Sequence, residues 1–86
     1  MIDTFDGWES VEGLALALSQ EARKLLLEDD LAGAETQLRR AIAFDTYCLP
    51  AYEWLEYVLD VQERFDEACE LRQYKHRAEL ELALIV

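Results

Sequence analysis

Apolar residues recur in steps of three and four at Val11, Leu14, Leu18, Ala22 and Leu25, the spacing that lines one face of an α-helix. Ser10 precedes this stripe as its N-cap, and Glu28-Asp29-Asp30 ends it. A second stripe, Leu31, Ala34, Leu38, Ala41 and Ile42, predicts a helix that stops near Asp45. Pro50 suits the first turn of a third helix at about residues 50–61, since proline there forfeits no hydrogen bond and its fixed φ is already helical. This helix is dense in apolar surface: Ala51, Tyr52, Trp54, Leu55, Tyr57, Val58 and Leu59 leave charge only at Glu53, Glu56 and Asp60. A fourth helix begins near Phe65, with Asp66 and Glu67 favouring its N-terminus and Ala68, Leu71, Tyr74, Ala78 and Leu82 along one side.

Composition narrows the fold class. Fifty-two per cent of the 86 residues are apolar, and one proline and three glycines leave too few breakers for the closely spaced turns of a sheet fold. The expectation is one all-α domain over residues 10–86, preceded by an N-terminal extension at residues 1–9. The segment MIDTFDGWESVEG has neither a basic nor an apolar leader region, and no apolar run reaches the roughly 18 residues of a membrane span, which points to a cytoplasmic protein. Cys48 and Cys69, without a CxxC or a neighbouring histidine, read as two reduced, partly buried thiols rather than a zinc site or a disulfide.

Charge excludes further classes. The formal net charge is −11, so nucleic acid and anionic membrane are repelled at long range. Arg39, Arg40, Arg64, Arg72, Lys75 and Arg77 fall in or beside the second and fourth helices, where cations in later turns suit the helix dipole. Catalysis has no foothold. His76 lies between Lys75 and Arg77 with no nucleophile at a recognisable spacing, the carboxylates mostly fall outside the apolar stripes, and Gly7, Gly13 and Gly33 are too isolated for a phosphate loop. No catalytic, metal or cofactor residues are assigned.

The stripes also repeat. Carried forward by 34 residues, Leu18 falls on Tyr52, Leu25 on Leu59, the acidic break at Asp29-Asp30 on Glu63-Arg64, Leu31 on Phe65 and Ala34 on Ala68. Each half is then a helix–turn–helix hairpin, with Ala34, Ala41 and Ala68 small because paired helices approach closely there. In these features the chain resembles the tetratricopeptide repeat family, in two copies at about residues 15–48 and 49–82. DDLAGAETQLRRAIAFD is similar to that family's turn and second helix, and AYEWLEYVLDVQERFDEACE to a first helix, turn and second helix. It departs at Thr46, where proline is frequent, at Glu56, where a small residue is usual, and at Arg72 and Lys75, where bulky and small residues are expected. The long final helix is accordingly expected to act as a divergent cap. DTYCLPAYEWLEYVL and RQYKHRAELELAL are also similar to the helical bacterial transcriptional activator domain, itself built of such repeats, though the register slips by two residues between these blocks.

The resemblance implies a right-handed α-superhelix that binds other proteins on a concave face lined by the first helices. On it, Ser19, Arg23, Leu26 and Leu27 of the first helix and Glu53, Tyr57, Asp60 and Val61 of the third face the groove. One basic residue among these does not suit a carboxylate clamp, and the acidic Glu53 and Asp60 suit a basic or amphipathic helical partner. For the strip Trp54, Tyr57 and Val61 two readings stand: a contact patch, or core covered by the first helix or by Phe5 and Trp8. Two repeats leave open ends, and the apolar LELALIV could extend the fourth helix into a neighbouring molecule, so a homodimer or larger assembly is expected. The rival class is an acidic inhibitor or immunity-type protein that neutralises a basic partner.

Overall fold

The computed structural model describes residues 11–85, which form four α-helices and no strand: α1 (Val11–Leu27), α2 (Leu31–Phe44), α3 (Leu49–Val61) and α4 (Phe65–Ile85). The chain is all-α. The expected cap Ser10 and the possible cover from Phe5 and Trp8 lie outside the described residues. No helix among those residues is long and apolar enough to cross a membrane.

The turns within the two helical hairpins have the same construction. After α1, Asp29 takes the left-handed conformation at φ 65°, its N–H donates to Leu26 O at 3.0 Å, and Asp30 N–H donates to Leu25 O at 2.8 Å. After α3, Glu63 sits at φ 60°, its N–H donates to Asp60 O at 3.0 Å, and Arg64 N–H donates to Leu59 O at 2.9 Å. Both are Schellman endings, which satisfy carbonyls that a helix C-terminus otherwise leaves without donors. They lie 34 residues apart, the spacing of the sequence repeat. Asp30 also caps α2, its Oδ1 accepting from Gly33 N–H at 2.9 Å, and a Cβ on Gly33 would collide with that same carboxylate.

Neither left-handed position carries glycine, and glutamate has no side-chain advantage there. Glu63→Gly should therefore stabilise the fold by about 1 kcal/mol and raise the thermal midpoint by roughly 4–8 °C. Asp29→Gly should gain less, because aspartate tolerates this conformation better. An unchanged or lowered midpoint for Glu63→Gly would show that the turn is not strained.

Between the hairpins, Asp45 ends α2 with its N–H on Ala41 O at 2.9 Å, and its Oδ1 accepts from Tyr47 N–H at 3.0 Å. Pro50 is in the first turn of α3, as the sequence predicts. Tyr52, buried in α3, reaches back to donate its hydroxyl to Thr46 O at 2.8 Å, so this loop is held from inside the core.

Helix α3 is central because it packs against all three other helices, whereas α4 packs on α3 alone. This accounts for the apolar density of α3: Ala51, Tyr52, Leu55, Val58 and Leu59 are all buried. Ala15, Ala22, Ala34, Ala41, Ala51 and Ala68 are fully enclosed, as close helix approach requires. In α1 the deepest positions are Ala15, Ser19 and Ala22, while Leu18 and Leu25 of the sequence stripe are partly buried beside them.

The two hairpins diverge along their second helices. In α2 the buried stripe is Ala34, Leu38 and Ala41; in α4 it is Ala68, Leu71 and Ala78. The 34-residue equivalents of Leu38 and Ala41 are Arg72 and Lys75, which pair with α3 carboxylates. Arg72 Nε meets Glu56 Oε2, and Lys75 Nζ lies 3.6 Å from Glu53 Oε2. Glu56 and Arg72 are both departures from the repeat pattern, and they compensate each other.

The cations do not serve the helix dipoles, as their positions in the sequence suggest. The last turns of α2 and α4 contain none of them. Four of the six join elements instead: Arg72 and Lys75 meet α3, Arg64 spans from Glu35 of α2 (2.7 and 3.0 Å) to Glu67 of α4 (2.8 Å), and Arg39 holds Glu35 within α2 at 2.9 Å and lies 3.6 Å from Glu67 of α4. The Arg64 hydrogen bonds hold the Glu35 carboxyl below its ordinary pKa of 4.5 against the opposing effect of burial. Since ionised Glu35 is favoured in the folded state, its contribution is complete above the unfolded pKa and disappears as pH falls through the lower folded value. Glu35→Gln should cost about 1 kcal/mol at pH 7, and the difference from wild type should shrink as pH falls below 4.5 in urea titrations. A difference that does not change with pH would dissociate the pair from stability.

Candidate functional site

One candidate surface begins with Trp54, Tyr57 and Val61, one turn apart on a side of α3. Trp54 is partly buried and packs on the core; Tyr57 and Val61 remain 52% and 49% exposed. The rings of Trp54 and Tyr57 meet edge to face, with centroids 6.2 Å apart and planes at 84°. Trp54 anchored in the core therefore buttresses an exposed Tyr57, a rigid aromatic platform of the kind enriched at binding interfaces. The strip is neither all core nor all surface.

The other expected binding residues divide. Arg23 is exposed on α1, Leu26 is partly buried against the core, and Leu27, at the end of the helix, is 84% exposed. Glu53 and Asp60 turn toward α4, where Lys75 lies 3.6 Å from Glu53 and Arg72 Nη2 lies 3.7 Å from Asp60 Oδ1. That Asp60 oxygen is shielded from solvent and accepts no hydrogen bond, so it is poorly placed to recruit a basic partner. Ser19 does not face a groove. It is buried, its hydroxyl donating to Ala15 O at 3.0 Å with Cys48 Sγ 3.7 Å away. Cys48 is buried as expected, but Cys69 is exposed rather than partly buried; both are free. His76 lies on the surface, 3.9 Å from Glu79.

A second surface escaped the sequence reading. Because α4 packs on α3 and not on α2, a groove of about 460 Å3 remains between α2 and α4 with α3 as its floor. Tyr52 and Leu55 form the floor, Ile42, Leu71, Tyr74 and Ala78 the apolar walls, and Arg39, Thr46, Arg77 and Glu81 the polar border. Tyr47 closes one end by donating its hydroxyl to Glu81 Oε1 at 3.0 Å, a bond that raises the phenol's pKa. The signal in the sequence was the pair Arg39 and Arg77, which flank apolar stripes in a strongly acidic chain. Which helix faces bordered a gap depended on how α2 and α4 were spaced.

Compared with protein-family models, curated proteins and solved structures, the chain matches none.

Proposed function

We propose that this chain is a protein-interaction module, two tetratricopeptide-like hairpins of a right-handed superhelix that bind an amphipathic helical or extended segment of another protein and also self-associate. The observation that carries the reading is Tyr57: a half-exposed aromatic ring held by a core-packed tryptophan on the most constrained helix of the fold. Val61, one turn from Tyr57 on α3, extends its reach, and the apolar strip supplies affinity through buried anchors. The matched turns at a 34-residue interval and the enclosed alanines support the repeat reading. The role is non-catalytic and cytoplasmic.

A second reading, an acidic inhibitor of a basic protein, draws on the placement of charge. Arg39, Arg64, Arg72 and Lys75 are engaged by carboxylates within the fold, so much of the outward charge of the −11 chain is acidic. Salt separates the two. Partners captured on the immobilised chain from native lysate should stay bound between 0.1 and 1 M salt, since apolar anchoring is little screened. Elution in the low part of that range would transfer the function to the acidic surface.

A further inference from the structure

The border of the groove carries Arg77, which pairs with no carboxylate among the described residues, beside Arg39, which Glu35 holds, and the part of the chain that fits it is on α4 itself. Helix α4 has 21 residues against 13 in α3, so by helical rise it continues about 12 Å beyond the length of its partner. Its last turns carry Leu80, Leu84 and Ile85 at 54%, 86% and 69% exposure, interleaved with Glu79 and Glu81. This is an acidic amphipathic segment whose Leu80, Leu84 and Ile85 stay exposed, while Glu81 accepts one hydrogen bond of its own fold, from Tyr47 at Oε1. The groove wall on the same helix consists of Tyr74, Arg77, Ala78 and Glu81, and helical spacing continues that face to Leu84 and Ile85.

We propose that the groove between α2 and α4 receives the last turns of α4 from a second copy of this chain, in an antiparallel two-fold pair. The proposal rests on the interaction-module reading and deepens its self-association. In an antiparallel pair centred at the level of Glu79, Arg77 lies opposite Glu81 of the second copy and Tyr74 opposite its Leu84. The two-fold repeats both contacts. Ala78, small and at the groove wall, lies opposite Leu80 of the second copy and gives it room. Charge and shape thus agree at the same place: the groove presents apolar walls with Arg77, and the tail presents leucines with Glu81.

The test uses full-length chains in sedimentation over a hundredfold concentration range, at about 0.15 M salt so that long-range repulsion is screened. Wild type should form a species of twice the 10.0 kDa chain mass. Leu84→Glu changes a side chain that touches little of its own fold, so it should abolish the dimer with unchanged helix content. Arg77→Glu and Glu81→Arg, each alone, set like charges opposite one another and should weaken association at least about tenfold. Mixing these two variants restores opposite charges at both contacts, so the mixture should regain the dimer although neither component forms it.

An i,i+4 pair inside one helix cannot produce that rescue between molecules. Global repulsion cannot explain the pattern either, because Glu81→Arg makes the chain less acidic and would then tighten the dimer. A wild-type chain of 10.0 kDa throughout, a dimer unaffected by Leu84→Glu, or a mixture that stays monomeric overturns the proposal. None of these results bears on Tyr57, which lies outside the groove lining, so the interaction-module reading is tested separately.

Discussion

Leu55→Ala should remove about 3–5 kcal/mol of folding stability, the largest loss expected from any single truncation considered for this fold. Leu55 is 1% exposed and lies on the side of α3 that underlies the groove, so few neighbours can move in to fill the space. An open groove above it also admits water to the cavity edge. A domain of this length has roughly 4–13 kcal/mol of total stability, so the variant should lose at least about a quarter of it. Leu84→Ala, at a position 86% exposed, should change the stability of the monomer, measured at concentrations too low for pairing, by less than about 0.5 kcal/mol. Urea denaturation of the two variants checks both numbers. A loss below 1 kcal/mol at Leu55 would mean that α3 is not the centre of the core.

The contrast between these two leucines also separates what the sequence revealed from what it concealed. Helix limits were legible because their causes are local: Pro50 in the first turn of α3, the acidic break at Asp29-Asp30 after α1, and acidic Asp66 and Glu67 opening α4. Of the enclosed alanines, Ala34, Ala41 and Ala68 were legible from their spacing, since a small residue recurring in an otherwise bulky stripe marks a close crossing, whereas Ala15 was not. Rotation about the helix axis was less so. Ser19 belongs to the buried face of α1 and not to a concave surface, because Ala15, Ser19 and Ala22 pack inward while the bulkier leucines flank them.

Long-range partners were hidden for a different reason. Glu53 and Asp60 read as free acidic groups until Arg72 and Lys75, 12 to 22 positions further along, come across from α4 to meet them. The groove depends on the absence of packing between α2 and α4, which no local pattern encodes. Its arginines were visible in the sequence, but their shared border exists only once α3 holds the two helices apart. The decisive split within the aromatic strip was equally tertiary: Trp54 and Val61 are close in angular position on α3, yet only Trp54 packs against the core.

That split sets the outcome for Tyr57→Ala. With 52% of its surface exposed, Tyr57 contributes to folding mainly through its edge contact with Trp54 and its half-covered ring, which together amount to about 1 kcal/mol. A buried aromatic would cost roughly 3–5 kcal/mol, so the thermal midpoint of this variant distinguishes a surface anchor from a core residue. Binding should show the reverse weighting. A tyrosine at the centre of an interface loses about 2 kcal/mol or more on truncation, so affinity for a partner captured by the wild-type chain should fall about thirtyfold or more. Tyr57→Phe should retain most of that affinity if the ring face makes the contact, and lose it if the hydroxyl does. Near-native stability combined with a large loss of affinity places the partner on the Trp54–Tyr57–Val61 strip. A collapse in stability would return Tyr57 to the core, while an unchanged affinity in a stable variant would remove it as the anchor and leave the α2–α4 groove as the stronger candidate surface.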